Sequence, residues 1–143
     1  MSTTSPHNVP MEKWIDCAPF ERLLKMEIVD AADGRAMLRM PFVSEFAQDA
    51  GLMHGGALVS LADTAVVIAV KSLLAPGTHF DAIEIQSKFI SPVRKGIVTA
   101  KAKILRPTGL VLYGSATVFD DGEHPVLDLT SVFRIAGNEG RGA

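Results

Sequence analysis

The chain has 143 residues, 48% hydrophobic and 21% charged, which suits one folded domain with a real core and excludes a disordered segment. Fourteen Lys and Arg stand against 16 Asp and Glu, a net charge of −2 with no basic stripe, so no nucleic-acid partner is expected. The longest apolar run, Ala65 to Val70, falls far short of the roughly 20 residues of a membrane span, and the single Cys17 precludes an internal disulfide.

Residues 1–10 are polar and Pro-containing, with neither the basic nor the apolar region of a leader, and read as a tail. Pro19 to Leu24 predicts a short helix with its proline in the first turn, and Lys25 to Val29 a first strand. Asp33-Gly34 is a hairpin signal, followed by a strand over Arg35 to Met40 that Pro41 stops. Residues 42–53 are irregular and lead into one long helix, about Gly55 to Leu74, closed by Ala75-Pro76-Gly77. Four strands follow. In the first, Ile83, Ile85 and Phe89 share one parity; the second alternates over Val98 to Ile104; the third runs from Leu110 to Phe119 and the last from Val126 to Ile135. Turns at 91–96, at Arg106 to Gly109 and at Asp120 to Gly122 separate them, and Gly137 to Ala143 reads as a second tail.

One long helix before four consecutive strands predicts an α+β domain, an antiparallel meander packed on the helix. Apolar residues surround that helix almost completely, as they do in a buried one. The expectation is a single domain over 1–143 with its core at about 18–136, soluble and cytoplasmic, with no membrane contact.

Between Gly55 and Val70 the helix carries one ionisable residue, Asp63, with Ser60 and Thr64 beside it and Lys71 two turns on. A carboxylate on a buried helix is costly unless paired, and its pKa rises, which marks a candidate functional residue. The other reading is a solvent-facing seam or a salt bridge to Lys71. Met53-His54-Gly55-Gly56 places two glycines at the helix start, where N–H groups free of a Cβ can receive a developing negative charge. The other reading of the same glycines is simple close packing of helix on sheet, and without further signals it is the default. Asp63 lies about 12 Å further along at 1.5 Å per residue, so chemistry joining the two features needs Asp63 of one subunit and Gly55 of another.

The run from His54 to Ala65, His-Gly-Gly-Ala-Leu-Val-Ser-Leu-Ala-Asp-Thr-Ala, resembles the signature of the phenylacetate-pathway (PaaI-like) hotdog acyl-CoA thioesterases. The resemblance extends from Pro19-Phe20-Glu21-Arg22-Leu23-Leu24 to Phe89-Ile90-Ser91-Pro92-Val93 and covers about residues 18–136. It implies a hotdog fold, in which a six-stranded antiparallel sheet wraps around one long central helix. It also implies homodimers joined edge to edge through their sheets, assembled into homotetramers, with active sites at the dimer interface. By resemblance Asp63 is the nucleophile or general base, the Gly55 N–H the oxyanion donor, His54 a loop-shaping residue, and Gln48 a contact to the thioester or its water. Gly56, Thr64, Ser91 and Pro92 fall at substrate-binding positions, and Thr108 and Gly109 where relatives touch the nucleotide or pantetheine. The substrate implied is an acyl-CoA, with no resident cofactor and no metal.

This sequence departs from some relatives at the start of the third strand, where Asp81-Ala82-Ile83 stands in place of a Ser or Thr that holds the attacking water, so that role is vacant or falls to Asp81. Arg94, Lys95 and Arg106 at strand ends are candidates for the CoA phosphates, or ordinary solvated charges. His7, His79, His124 and Cys17 lack metal-ligand spacing. Two rival functions share the fold: an enoyl-CoA hydratase using Asp49 and His54, and a non-catalytic acyl-CoA-binding protein.

Overall fold

A computed structural model describes residues 14–105 and 109–136. It contains α1 (Pro19–Leu23), β1 (Glu27–Ala32), β2 (Arg35–Pro41), a 3-10 turn (Ser44–Phe46), α2 (Gly55–Lys71), β3 (His79–Phe89), β4 (Ile97–Ile104), β5 (Val111–Phe119) and β6 (Pro125–Ala136). All six strands form one antiparallel sheet in the order β1-β2-β4-β5-β6-β3.

The local signals explain most boundaries. Pro19 opens α1, and the Glu21 carboxylate accepts the Ala18 N–H at 3.1 Å. Asp33 and Gly34 both take positive φ, 54° and 79°, as the two-residue turn of the β1–β2 hairpin requires. That turn is pinned to the end of α2, because the Gly34 N–H donates to Ser72 Oγ at 2.8 Å. The first strand runs two residues later than expected, since Lys25 at φ 61° breaks the chain direction after α1. The long helix ends at Lys71, three residues earlier than expected, with Ser72 as its C-cap.

The four-strand meander is corrected. β4, β5 and β6 do form one, but β3 is carried past them and pairs only with β6 at the far edge, so that β4 pairs with β2 instead. Alternation along a strand reports which face is covered and says nothing about which neighbour it pairs with.

The helix packs on β2, β4, β5 and β6. Every second residue of β2 and β4 is buried beneath it, including Leu38, Met40, Val98 and Ala100. Small residues let sheet and helix approach, and Gly114 of β5 marks the closest contact: a Cβ there would collide with Val66 Cγ1. Val66 is fully enclosed and β-branched, so it has little room to yield. Gly114→Ala is therefore expected to destabilise the fold by about 1–3 kcal/mol through overpacking. Thermal denaturation of this variant with and without Val66→Ala checks the cause, since the second change should recover most of the loss.

One stripe of α2 escapes the sheet. Gly56, Ser60, Asp63, Val67 and Lys71 recur three and four residues apart and are all less than fully buried, while the rest of the helix is enclosed almost throughout. The inner face of β3 is also uncovered, with Ile85 and Phe89 exposed. Among the described residues no helix is long and apolar enough to cross a membrane.

Candidate functional site

Asp63 stands at the middle of the open stripe. Its Oδ1 is fully enclosed and makes no hydrogen bond. Burial raises the Asp63 carboxyl above the ordinary carboxylate range, and the negative charge of Glu21 adds to the shift. The salt bridge to Lys71 is not formed. The Lys71 ammonium donates instead to the Trp14 carbonyl at 3.0 Å and lies 5.7 Å from the centre of the Trp14 ring. Asp63 thus bears the cost of burial without a compensating partner among the described residues. Thr64, grouped with Asp63 by its adjacency in sequence, turns about 100° away around the helix and is buried at 7% exposure.

The start of α2 is built around His54. As N-cap its ring accepts the Gly56 N–H at Nδ1, 2.8 Å away, which leaves the ring proton on Nε2. The Gly56 N–H is therefore engaged within the chain and is not an available donor. A side chain at Gly56 would also meet the His54 ring at 3.0 Å. The Gly55 N–H has no protein acceptor among the described residues. The helix start also approaches the end of β3 closely at Gly55, where a Cβ would come within 2.9 Å of Cε1 on the exposed Phe89 ring. Close packing and an available backbone donor hold together at Gly55 and do not exclude one another.

A groove of about 300 Å³ opens at this helix start, lined by Gln48, Leu52, Gly55, Phe89, Ser91 and Pro92 among others. Two segments far apart in sequence, 48–58 and 89–92, meet there, joined by the backbone bond from Met53 N to Val93 O at 2.8 Å, while His54 N to Phe46 O at 2.7 Å closes the loop before the helix. Gln48 sits in the 48–51 turn, its side-chain oxygen accepting the Ala50 N–H. Arg94 and Lys95 are exposed on the loop that continues from Pro92. Arg106 and Thr108 lie outside the described residues. Asp81 pairs in register with Arg134 near the start of β3, and Asp49 is exposed in its turn.

Gln48, Gly55, Ser91 and Pro92 come together in the groove, with His54 capping the helix beside it. Asp63 is separated from Gly55 by eight residues of the same helix, about 12 Å. Two participants were not anticipated. Phe89 carried a visible signal, an aromatic ending a strand before Ser-Pro, whereas the influence of Glu21 on Asp63 arises from a chain fold-back that no local pattern encodes.

Residues 50–126, more than half the chain, match the family model for the thioesterase superfamily. A provisionally named esterase of Saccharolobus solfataricus is 28% identical over 93 residues, and the match spans 64% of this chain and 64% of that protein's length. A 1,4-dihydroxy-2-naphthoyl-CoA hydrolase of Listeria monocytogenes is 27% identical over 85 residues, 59% of this chain and 69% of that protein. Among solved structures, a conserved protein from Pseudomonas aeruginosa superposes with a TM-score of 0.82 at 26% identity, covering 87% of this chain and 98% of that one. The PaaI protein of the E. coli phenylacetic acid degradation operon shares the fold with a TM-score of 0.78 at 22% identity, covering 84% and 86%. With its six-stranded antiparallel sheet wrapped on one long helix, the chain has the hotdog fold and belongs to the thioesterase superfamily.

Proposed function

We propose that this chain hydrolyses acyl-CoA thioesters at sites shared between the subunits of a homodimer, itself paired into a homotetramer. The observation that carries the reading is Asp63, a half-buried carboxyl whose enclosed Oδ1 has no hydrogen-bond partner, on the one stripe of the central helix that the sheet leaves open. A buried unpaired carboxylate is a poor structural element and a good reactive one, because desolvation strengthens it as a base or nucleophile.

In the proposed reaction the thioester carbonyl is held by the Gly55 N–H of one subunit. Asp63 of the other subunit attacks the carbonyl carbon directly or takes a proton from the water that does. As the new C–O bond forms, the carbonyl π pair moves onto oxygen and is stabilised by the Gly55 N–H at the positive end of the helix. Collapse breaks the C–S bond and expels CoA as its thiolate, which is then protonated; on the direct route a water then hydrolyses the resulting Asp63 acyl anhydride, releasing the acid and restoring the carboxylate. Gln48 lies at the groove wall to orient the thioester or the water, and His54 holds the loop that presents Gly55. Ser91 and Pro92 line the entrance. The CoA-hydrolase name of the Listeria relative supports a CoA thioester as the substrate class.

Release of free thiol from a panel of short, medium, long and aromatic acyl-CoAs tests the activity. Turnover of at least one acyl class well above the buffer rate is expected, and tight binding with no thiol released from any of them would overturn the proposal. Crotonyl-CoA should not be hydrated.

Arg94 and Lys95, exposed beside the groove, are proposed to meet the CoA phosphates. Reversing both charges should raise KM for acyl-CoA by about tenfold and leave KM for the matching acyl-pantetheine thioester unchanged, since only the former carries phosphates. Equal effects on both substrates would make them ordinary surface charges.

A further inference from the structure

The groove at the start of α2 is framed by residues with little freedom to move. Met53 and Leu58 line it and are 4% and 3% exposed, both part of the enclosed core. Leu58 follows Gly55 by three residues, about 4.5 Å along the helix axis, so the helical wall of the groove spans about one turn. The backbone on both sides is pinned as well. Met53 N donates to Val93 O at 2.8 Å, and Ile90 N donates to Val126 O at 2.9 Å.

Facing them stands Phe89, at 59% exposure the freest of the large apolar side chains there, although its backbone is fixed by pairing with Leu127 of β6. Its ring reaches the helix start: a Cβ built on Gly55 would lie 2.9 Å from Cε1 and 3.1 Å from Cζ. Ring and Gly55 line the same groove, so a carbonyl held at the Gly55 N–H has Phe89 beside it. Leu52, Ile90 and Pro92 complete an apolar lining in which Gln48 and Ser91 supply the polar side chains, and the Gln48 side-chain oxygen is already engaged by the Ala50 N–H. A pantetheine arm brings two amides and a hydroxyl, which need hydrogen-bond partners when they leave water, whereas an alkyl chain needs none. The volume of about 300 Å³ stands at the lower end for ligand pockets.

Resting on the reading of this chain as an acyl-CoA hydrolase, we propose that the groove takes the acyl group and that Phe89 is its specificity-determining wall, restricting the substrate to short, compact acyl chains. The thioester carbonyl accepts the Gly55 N–H, and the acyl chain lies between the Phe89 ring and Leu58. The CoA portion leaves past Ser91 and Pro92 toward Arg94 and Lys95. A longer chain meets Met53 and Leu58, which the packed core holds in place. On the other side it meets the Phe89 ring, the one of these walls that can be trimmed without opening the core.

The test measures thiol release from butyryl-CoA and decanoyl-CoA by the parent, Phe89→Ala and Phe89→Trp, with melting temperatures on the same preparations. The parent should favour butyryl-CoA in kcat/KM. Phe89→Ala should shift the ratio of the two kcat/KM values toward decanoyl-CoA by at least about tenfold, since even one methylene in an apolar pocket is worth about that much. Phe89→Trp narrows the groove and should shift the ratio the opposite way. The melting temperature of Phe89→Ala should stay close to the parent's, because the ring is mostly exposed. The ratio itself does not depend on how much of a preparation is folded. A parent that prefers decanoyl-CoA, a ratio unmoved in Phe89→Ala, or a tryptophan variant that shifts it the same way as alanine overturns the proposal. The two readings fail separately: hydrolysis with an unmoved ratio refutes the role of Phe89 alone, whereas no thiol from either substrate or from the wider acyl-CoA panel refutes the hydrolase reading and this inference with it.

Discussion

Asp63→Asn is expected to reduce turnover by about 10²- to 10⁴-fold while leaving substrate affinity nearly intact. The amide is almost the same shape as the carboxylate, so it adds no bulk to the pocket, but it can neither accept the proton nor attack the carbonyl. Stability should move the other way. The folded Asp63 carboxyl has a raised pKa, chiefly from burial and then from Glu21, so the folded chain binds this proton more tightly than the unfolded one. Folding stability then falls as pH rises from the ordinary carboxylate range through the raised value, and above it the full cost of the buried charge is present. The asparagine variant escapes that cost. Its melting temperature should equal or exceed the parent's at neutral pH, with the difference vanishing in acid. Lys71 is not left without a partner, because it already donates to Trp14. A variant that kept its turnover and lost stability would make Asp63 a structural residue.

The same shift sets the pH dependence of the proposed reaction. Only ionised Asp63 is reactive, so kcat/KM should decline toward low pH with a midpoint above the ordinary carboxylate range. Glu21→Gln removes the second cause of the shift and should move that midpoint toward lower pH, leaving the rate on the plateau unchanged.

Most of the local structure was legible because its causes are local. The helix over 55–71 announces itself by apolar residues on nearly every side, and the Asp33-Gly34 turn by the two positive φ angles it must adopt. The pleated alternation of β4 and β5 reports a one-sided burial that the helix supplies. The place of β3 was not legible, since reaching the β6 edge depends on the path of the whole chain around α2. At the site, Asp63 stood out because a charge was set among apolar neighbours. Sequence adjacency misled at Thr64 and Gly56: the first turns into the core, and the second spends its N–H on the His54 ring.

Mixing two inactive variants should restore activity, and the amount restored measures whether the site is shared. Gly55→Ala places a Cβ within 2.9 Å of Phe89 Cε1, so either the exposed Phe89 ring or the helix start must shift at the groove wall, and the expected result is a disturbed Gly55 N–H at the oxyanion position. Loss of one such donor costs on the order of 10²- to 10³-fold in turnover. Asp63→Asn is inactive for the independent reason given above. In a mixed dimer of the two, one site combines the intact Asp63 of the first chain with the intact Gly55 of the second, while the other site carries both defects. Random reassortment makes half the dimers mixed, and each has one good site of two, so about one quarter of parental activity is expected after the subunits exchange. The geometry demands this outcome if the chemistry is as proposed, because about 12 Å of helix separates the two groups within a single chain. The exposed inner face of β3, with Ile85 and Phe89, offers the apolar surface through which an edge-to-edge dimer would form. Recovery that stays at the sum of the two residual activities, after exchange has been verified with differently tagged chains, would place a complete site within one subunit and refute the shared arrangement.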